Sequence, residues 1–445
     1  MALVKFLKNF IILTMFSLTF MVAIFASRVF ARDLTDKINQ VYSTGLKVAL
    51  IPWIKERLYE SSSLNSQYNL LQEQILIAGS QHFELFNEKD LKKHRSDPVA
   101  YILGKKMFSK GRYYESGQYL DTVRKSGPLY PHAQYILGTI AVTEKSFNQA
   151  EVHFKNCFKE SEKWQSDYDG PIIVNKQFKM LNELCAVGLA RSKYSNGKLN
   201  DSEQKFMELD KRSRIWPSIL MDEAWLHFYL GNYNRTLGKI VTYNAPQLKF
   251  SAPSDFSPLA AYAYLKLCLY DDVLKITEKY YEDTMMQIKE LNAIKLSPTQ
   301  LDSEMGKSLK KHPSLFFYQE SLKLAEIENT KINRDTKLDH RKVLIDNLQD
   351  FEEFQNKIIS RQIKKIAEKR IFDLRQTLEN LSYLKLEVLG KKKESLYRGE
   401  EWNGVRGDIK YLKRNSKQYF WDFTGEFWAD ELGDYVFALA SECKK

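Results

Sequence analysis

The chain has 445 residues, of which 67 are Lys or Arg and 56 are Asp or Glu, so its formal net charge is +11. Hydrophobic residues make up 44% of the chain, which is enough for folded cores and excludes a globally disordered protein. The 19 Gly and 11 Pro are few for this length and disfavour loop-rich sandwiches and collagen-like sequences. The composition therefore indicates a helical protein.

The first 31 residues have the organisation of an export signal. Lys5 and Lys8 give a positive start, and an uncharged apolar run follows over 10–26. Small or tolerated residues at 29–31 then offer a signal-peptidase site. We therefore predict a signal peptide over 1–31 and a periplasmic or secreted mature chain. The alternative is an uncleaved anchor in the inner membrane that faces the periplasm, because the apolar run approaches the ~20 residues that span a bilayer.

The body of the chain contains a sequence repeat. The tetrapeptide Tyr-Ile-Leu-Gly at 101–104 recurs at 135–138, a shift of 34 residues. The turn sequence at 111–113 aligns with that at 145–147 in the same frame. A fixed period in this range indicates stacked helical hairpins, because a single hairpin cannot bury its apolar face alone.

Three further hairpins follow in the same frame. The short side chains that open the second helices are Ser116, Ala150, Ser202, Thr236 and Val273. Their intervals of 34, 52, 34 and 37 residues predict an insertion around 161–175 and a longer link through the prolines of 246–258. We expect the short side chains and the first-helix residues Gly104 and Gly138 to let paired helices approach closely.

This pattern of Leu-Gly, aromatic turn, small residue and closing Pro resembles the tetratricopeptide repeat (TPR) family over residues 98–290. The resemblance implies an α-solenoid of about five hairpins whose first helices line a concave groove for partner segments. The residues that it places in the groove are Tyr101, Lys105, Phe108, Tyr135, Thr139, Val142, Arg191, Tyr194, Trp225, Phe228, Tyr262 and Lys266. Such aromatic and cationic residues suit an extended acidic or aromatic-containing peptide. The alternative is that several of them pack against adjacent hairpins.

The segments that flank the repeats are also expected to be helical. Residues 32–97 predict a leading helical segment that caps the solenoid and is interrupted at Pro52 and at the serines of 61–63. Residues 291–316 are predicted to be a linker.

Residues 317–396 predict a long charged helix or a helical hairpin with heptad-like apolar spacing. Two interpretations stay open. The segment could self-associate as a coiled coil through 340–390, or it could pack along the solenoid of its own chain. A basic excess over 331–417 is read as a solvated helix face, because acidic residues are interleaved with the basic ones.

Residues 397–445 are rich in aromatic side chains. The apolar spacing predicts a short amphipathic helix at 427–435, with Trp428, Leu432, Tyr435 and Leu439 on one side. We interpret the segment as a helical cap over the last hairpin. The alternative is a sugar-stacking site. The segment contains Trp-Asp-Phe at 421–423, Gly-Glu-Phe-Trp at 425–428 and Asp-Glu-Leu-Gly at 430–433. This pattern is similar to the tail of large envelope TPR proteins of gliding and predatory Gram-negative bacteria, and the resemblance implies an envelope or motility assembly.

The sequence has no recognisable catalytic or cofactor-binding motif. It lacks a P-loop and the GxGxxG, GxSxG and HExxH patterns, and its seven His have no metal-ligand spacing. The four Cys, at 157, 185, 268 and 443, fit no zinc pattern and allow three disulfide pairings in an oxidising compartment. Cys157 lies on the inward face of a predicted helix, so a buried free thiol is expected there.

These patterns predict an all-α TPR-like solenoid, followed by a long helix or coiled-coil-like segment and an aromatic C-terminal helical cap. The predicted function is that of a non-catalytic exported scaffold or adaptor, with protein partners and with no cofactor, metal or nucleic acid. Membrane contact is expected only through an uncleaved N-terminal segment. The alternative function is that of a cell-wall glycan-binding or peptidoglycan-enzyme accessory protein that uses the C-terminal aromatic segment.

Overall fold

A computed structural model describes residues 34–59, 67–248, 250–335, 338–397 and 420–443, without the side chains of 395–397. Within these ranges the fold is all-α and solenoid-like, as the composition and the repeat predict. The predicted signal peptide at 1–31 lies outside the described residues. None of the helices described is both long and apolar enough to cross a bilayer.

The helices follow one another along the chain with short connections. The first eight are α1 (34–43), α2 (Ile51–Tyr59), α3 (Tyr68–Ala78), α4 (Glu88–Leu91), α5 (Asp97–Ser109), α6 (Tyr113–Leu120), α7 (Tyr130–Thr143) and α8 (Phe147–Asp167). The next nine are α9 (Ile172–Ser195), α10 (Leu199–Met207), α11 (Trp216–Tyr229), α12 (Tyr233–Val241), α13 (Phe256–Lys266), α14 (Tyr270–Leu296), α15 (Glu304–Lys310), α16 (Pro313–Arg334) and α17 (Arg341–Tyr397). Short 3-10 helices form at Ser80–His82, Thr242–Asn244 and Pro246–Leu248.

Two short strands lie near the C-terminus, β1 (Trp421–Asp422) and β2 (Tyr435–Val436). They pair in parallel, with Trp421 opposite Tyr435 and Asp422 opposite Val436.

The chain divides into two compact units. Unit 1 comprises the described residues of 1–133, 170–174 and 317–355, and unit 2 comprises those of 134–169, 175–316 and 356–445. Each unit is described below by itself.

Five hairpins, from α5–α6 to α13–α14, share one turn conformation. The turn residues with positive φ are Gly111 (73°), Lys145 (59°), Gly197 (74°), Gly231 (75°) and Cys268 (59°). The residue after each of them has φ between −87° and −84° and ψ between 62° and 68°. Its amide donates to the carbonyl five residues earlier at 2.8–3.0 Å. These turns recur at the predicted intervals of 34, 52, 34 and 37 residues, so the hairpin periodicity is confirmed.

The paired helices approach where a side chain is missing, as the small residues predict. A Cβ added at Gly104 would lie 2.6 Å from Cγ of Leu120, and one at Gly138 would lie 2.9 Å from the ring of Phe154. Both distances are shorter than van der Waals contact, so a larger residue would push the helices apart.

A second device, which the sequence pattern did not suggest, links the helices of three hairpins. In each of them, the side-chain hydroxyl near the start of the second helix donates to a backbone carbonyl of the first helix, twelve residues earlier. The pairs are Ser116 with Gly104 (2.7 Å), Ser202 with Ala190 (2.9 Å) and Thr236 with Ala224 (3.3 Å). These hydroxyls are buried, so the hydrogen bond satisfies a group that would otherwise be costly to bury.

The expected insertion around 161–175 is not a loop. Helix α8 extends to Asp167 and α9 begins at Ile172, so the additional residues lengthen the two helices. Gly170 and Pro171 lie in the short connection between the two helices. The expectation of a free thiol at Cys157 is also wrong. Cys157 and Cys185 lie on facing sides of α8 and α9, with Cα atoms 5.8 Å apart, and form a disulfide.

The flanking segments differ in detail from the sequence prediction. Pro52 begins a helix instead of interrupting one, because it is the second residue of α2 and the first turn of a helix needs no amide hydrogen from it. Residues 291–316, predicted to be a linker, contain the end of α14, all of α15 and the start of α16. The serines at 61–63 lie outside the described residues.

The segment predicted over 317–396 contains two helices, α16 and α17. In unit 2, apolar residues of α17 that include Ile371, Leu381 and Val388 are buried in one core cluster with residues of α13–α15. The apolar stripe that could have formed a coiled coil through 340–390 is thus covered, from Ile363 onward, by helices of its own chain.

The amphipathic helix predicted at 427–435 is absent. Residues 429–433 form turns, and Gly433 has a φ of 85°, which an α-helix cannot contain. The segment instead packs on α11–α13 as an irregular chain. The backbone amide of Gly433 donates to Oγ1 of Thr242 at 3.2 Å, and Tyr435 is buried in a cluster with Phe423 and Phe427.

Further contacts fix the end of the C-terminal segment. The side chain of Asn234 both donates to and accepts from the backbone of Leu439, at 3.0 Å each, and the amide of Glu442 donates to the carbonyl of Leu267 at 2.9 Å. A disulfide joins Cys443 to Cys268 at the turn between α13 and α14.

Candidate protein-binding surface

Three of the predicted groove residues belong to unit 1. Tyr101 is only 6% exposed, its ring centroid lies 6.3 Å from that of His132, and burial raises the pKa of its hydroxyl. Burial lowers the pKa of Lys105, while the charge of Glu84 partly opposes this effect. Phe108 is half-buried, with its ring centroid 5.6 Å from that of Tyr113. Tyr101 therefore fits the alternative interpretation, in which a predicted groove residue packs against the adjacent hairpin.

The other predicted residues lie in unit 2, each on the first helix of its hairpin. Tyr135 is half-buried beside Phe154, and the hydroxyl of Thr139 donates to the carbonyl of Tyr135 at 2.9 Å. Tyr262 packs partly into the core cluster of α13 and α14, whereas Lys266 is exposed. Val142 is exposed at the end of α7. Val142 lies on α7 and Tyr262 on α13, so these residues are spread over separate hairpins.

A continuous aromatic surface does form where α9, α11 and α12 meet. It consists of Tyr194, Trp225, Phe228, Tyr229 and Tyr233, which we call the aromatic surface. The Tyr229 ring centroid lies 5.9 Å from that of Tyr194, 6.0 Å from that of Trp225 and 5.9 Å from that of Phe228, and Phe228 lies 5.5 Å from Tyr233. Tyr229 is 62% exposed, so the cluster presents a large amphipathic ring to solvent.

Two acidic side chains hold this surface in place. Asp222 accepts from Nε and Nη2 of Arg191, at 3.0 and 2.7 Å, and so ties α11 to α9. Asp255 accepts from Nε1 of Trp225 at 2.8 Å, which fixes the plane of the indole ring. Burial raises the pKa of the Asp222 carboxyl, and the charge of Arg191 opposes that rise. Arg191, which the sequence analysis placed in the groove as a cation, is therefore paired with a carboxylate.

The aromatic surface contains no acidic or basic side chain of its own. Burial, followed by the neighbouring Tyr229 hydroxyl, raises the pKa of Tyr194. With Arg191 compensated, the surface offers ring faces, hydroxyl groups and an oriented indole instead of a net positive charge. Such a surface suits an aromatic or proline-rich partner segment better than an acidic one.

Sequence reasoning identified Tyr194, Trp225 and Phe228 but missed Tyr229 and the two aspartates. For each of the last three hairpins the resemblance gave two groove positions. In the fourth hairpin these are Trp225 and Phe228, and Tyr229 directly follows Phe228. Its signal was the run of two aromatic residues directly before the Leu-Gly of the turn. Asp222 and Asp255 carried no local signal, because their partners are 31 and 30 residues away.

The aromatic residues of the C-terminal segment serve mainly as core. The ring centroid of Phe423 lies 5.2 Å from that of Phe427, 5.4 Å from that of Tyr435 and 5.7 Å from that of Phe437. Trp421 and Trp428 remain 43% and 57% exposed. Over the ranges described, no group of three or more His, Cys, Asp or Glu side chains is placed to hold a metal ion.

No model of a known protein family matches this chain, and no curated protein matches it either.

Proposed function

We propose that this protein is a non-catalytic exported scaffold of the TPR type, which binds a segment of a partner protein in the cell envelope through its aromatic surface. The observation that carries the proposal is the exposed ring of Tyr229 and the contiguous, half-buried rings around it. Interface hot spots are enriched in Tyr and Trp, since these rings offer a large contact area with few rotatable bonds.

The rigidity of the surface supports a binding role. The Arg191–Asp222 pair and the Trp225–Asp255 hydrogen bond hold the rings in position before a partner arrives. A preorganised surface loses less conformational entropy on binding, so more of the contact energy remains as affinity.

Export is supported by two independent features. The N-terminal sequence has the organisation of a signal peptide. The structure also pairs its four cysteines, Cys157 with Cys185 and Cys268 with Cys443, and disulfides persist in oxidising compartments such as the periplasm.

The proposal is tested by selecting displayed random peptides on the purified protein and then measuring the affinity of the selected peptides for two variants. Tyr229→Ala removes the central ring of the aromatic surface. Tyr281→Ala, whose ring is 58% exposed on α14 outside that surface, is the matched control. We expect Tyr229→Ala to weaken binding about 30-fold, the effect of losing a hot-spot residue worth about 2 kcal/mol.

Tyr281→Ala should bind like the parent protein, and both variants should stay folded at the temperature of the binding assay because both rings are exposed. Equal affinities of the two variants, or selected peptides that lack aromatic and proline residues, would contradict the proposal.

A further inference from the structure

A cavity of about 460 Å³ lies within unit 2, between α10–α12 and the C-terminal segment. Its volume falls within the ~300–1,000 Å³ range of small-ligand sites. The hairpins contribute charged side chains and His227, and the C-terminal segment contributes Phe420, Trp421 and the chain at 433–436. This site is separate from the aromatic surface proposed to bind protein.

Six of the seven charged side chains on the cavity wall are matched with one another in ion pairs. The ion pairs are Arg235 with Glu203 (3.0 Å), Lys239 with Glu223 (2.7 Å) and Lys211 with Asp434 (2.6 Å). The further carboxylate on the lining, Asp430, is exposed to solvent. An anionic ligand would have to separate one of these pairs to reach a cation, whereas a neutral ligand can use their remaining donor and acceptor sites.

His227 is the buried polar group that points to a ligand. Its side chain lines the cavity and the residue is 1% exposed, yet its Nδ1 atom has no hydrogen-bond partner. Burial, and then the positive charges of Arg235 and Lys239, hold its pKa well below the ordinary value, so the ring is neutral. Buried polar atoms are nearly always hydrogen-bonded in native proteins, and a ligand hydroxyl could supply the missing partner.

Aromatic rings supply the apolar part of the lining. Trp216 packs so closely on the C-terminal segment that a Cβ at Gly433 would lie 2.9 Å from its ring. The guanidinium of Arg235 lies 4.9 Å from the ring centroid of Phe420. Trp421 remains 43% exposed, so much of its indole ring is available for contact.

We propose that this cavity binds a small uncharged carbohydrate. A sugar ring has an apolar face of C–H groups that packs on an indole, here Trp421, and hydroxyl groups that both donate and accept hydrogen bonds. The polar groups on the lining that can pair with these hydroxyl groups are His227 and the carboxylate of Glu223. The proposal gives the glycan-binding alternative a defined site.

The test is a calorimetric titration of the purified full chain with glucose, N-acetylglucosamine and the β-1,4-linked dimer of N-acetylglucosamine. Glucuronic acid and diglycine serve as charged probes of similar size. Trp421→Ala removes the stacking ring, and His227→Leu removes the unpartnered polar atom. Trp428→Ala is the matched control, because Trp428 lies in the same segment, is more exposed and does not line the cavity.

We expect saturable binding of at least one of the three uncharged sugars, with an affinity that falls about tenfold or more in Trp421→Ala and stays within about twofold in Trp428→Ala. His227→Leu should also weaken binding. If that variant does not fold, Trp421→Ala still decides the question, because its side chain is partly exposed. The proposal is overturned if none of the uncharged sugars binds, if Trp421→Ala binds like the parent, or if only a charged probe binds.

Discussion

Replacing Gly238 by alanine tests how closely the C-terminal segment approaches α12. A Cβ at this position would lie 1.6 Å from the carbonyl oxygen of Tyr435 and 2.3 Å from its carbonyl carbon. Both atoms belong to the backbone, so no rotamer change relieves the clash, and the segment or the helix must move by about 1.5 Å or more to restore contact distance. Overpacking of this kind costs about 1–3 kcal/mol.

Gly390 provides the matched control, because it also lies within a helix but an added Cβ there meets no atom within 4 Å. Alanine at an exposed helical position gains about 1 kcal/mol over glycine. We therefore expect Gly390→Ala to stabilise the protein and Gly238→Ala to destabilise it, with a difference of about 2–4 kcal/mol in the free energy of unfolding.

The assay is urea denaturation combined with hydrogen exchange measured by mass spectrometry. Gly238→Ala should accelerate amide exchange in the peptides that cover 432–439, while Gly390→Ala should leave exchange there unchanged. The reasoning is refuted if both variants are equally stabilised and neither changes exchange in that segment.

Two further predictions follow from the hairpin turns and from a buried histidine. Lys145→Gly should stabilise the protein by up to about 1 kcal/mol, and Gly111→Ala should destabilise it by about as much, because both positions have positive φ. Urea midpoints that shift in neither variant would contradict the shared turn conformation. Burial, and then the charge of Lys55, lowers the pKa of His82 from 6.5 to about 3. Between these values the unfolded chain binds a proton that the folded chain does not, so stability present above pH 6.5 is lost as the pH falls, by at most about 1.4 kcal/mol per pH unit. His82→Gln should flatten this dependence when unfolding is measured from pH 4 to 7, and an unchanged slope would contradict the assignment.

The hairpins could be predicted from the sequence because their signals are local and repeat. The turn at Gly111 and the short side chain of Ser116 fall at fixed offsets within one hairpin, and the same offsets recur in the next. The turn at Lys145 was found through its alignment with Gly111, although lysine alone does not indicate positive φ. Periodicity thus compensated for a residue whose own propensity was misleading.

The C-terminal segment could not be predicted in the same way, because its structure depends on distant partners. The spacing of Trp428, Leu432 and Tyr435 also fits a helix, and the contact that rules it out joins Gly433 to Thr242, 191 residues earlier. The disulfide of Cys157 was missed for a related reason. Residues 161–175 were interpreted as an insertion, which concealed that α8 and α9 run far enough to bring both cysteines together.

The candidate surface was predicted in part. The family resemblance placed Trp225 and Phe228 on the first helix of their hairpin, where the structure also has them, but it gave no sign that Arg191 is paired with Asp222. Whether Arg191 is available to a partner depends on Asp222, which is 31 residues away in sequence. Charge reversal at Arg191 would therefore bring two acidic groups together and disturb the packing of α9 on α11, so the uncharged Tyr229 is a better position for testing binding.

The central claim, that the aromatic surface contacts a partner protein, is tested most directly by site-specific photocrosslinking in intact cells. A benzophenone-bearing amino acid replaces Tyr229 in one variant and Tyr281 in another, and adducts are identified by mass spectrometry. The account predicts a discrete adduct with another envelope polypeptide from position 229 and none from position 281. No adduct at position 229, or the same adducts from both positions, would contradict it.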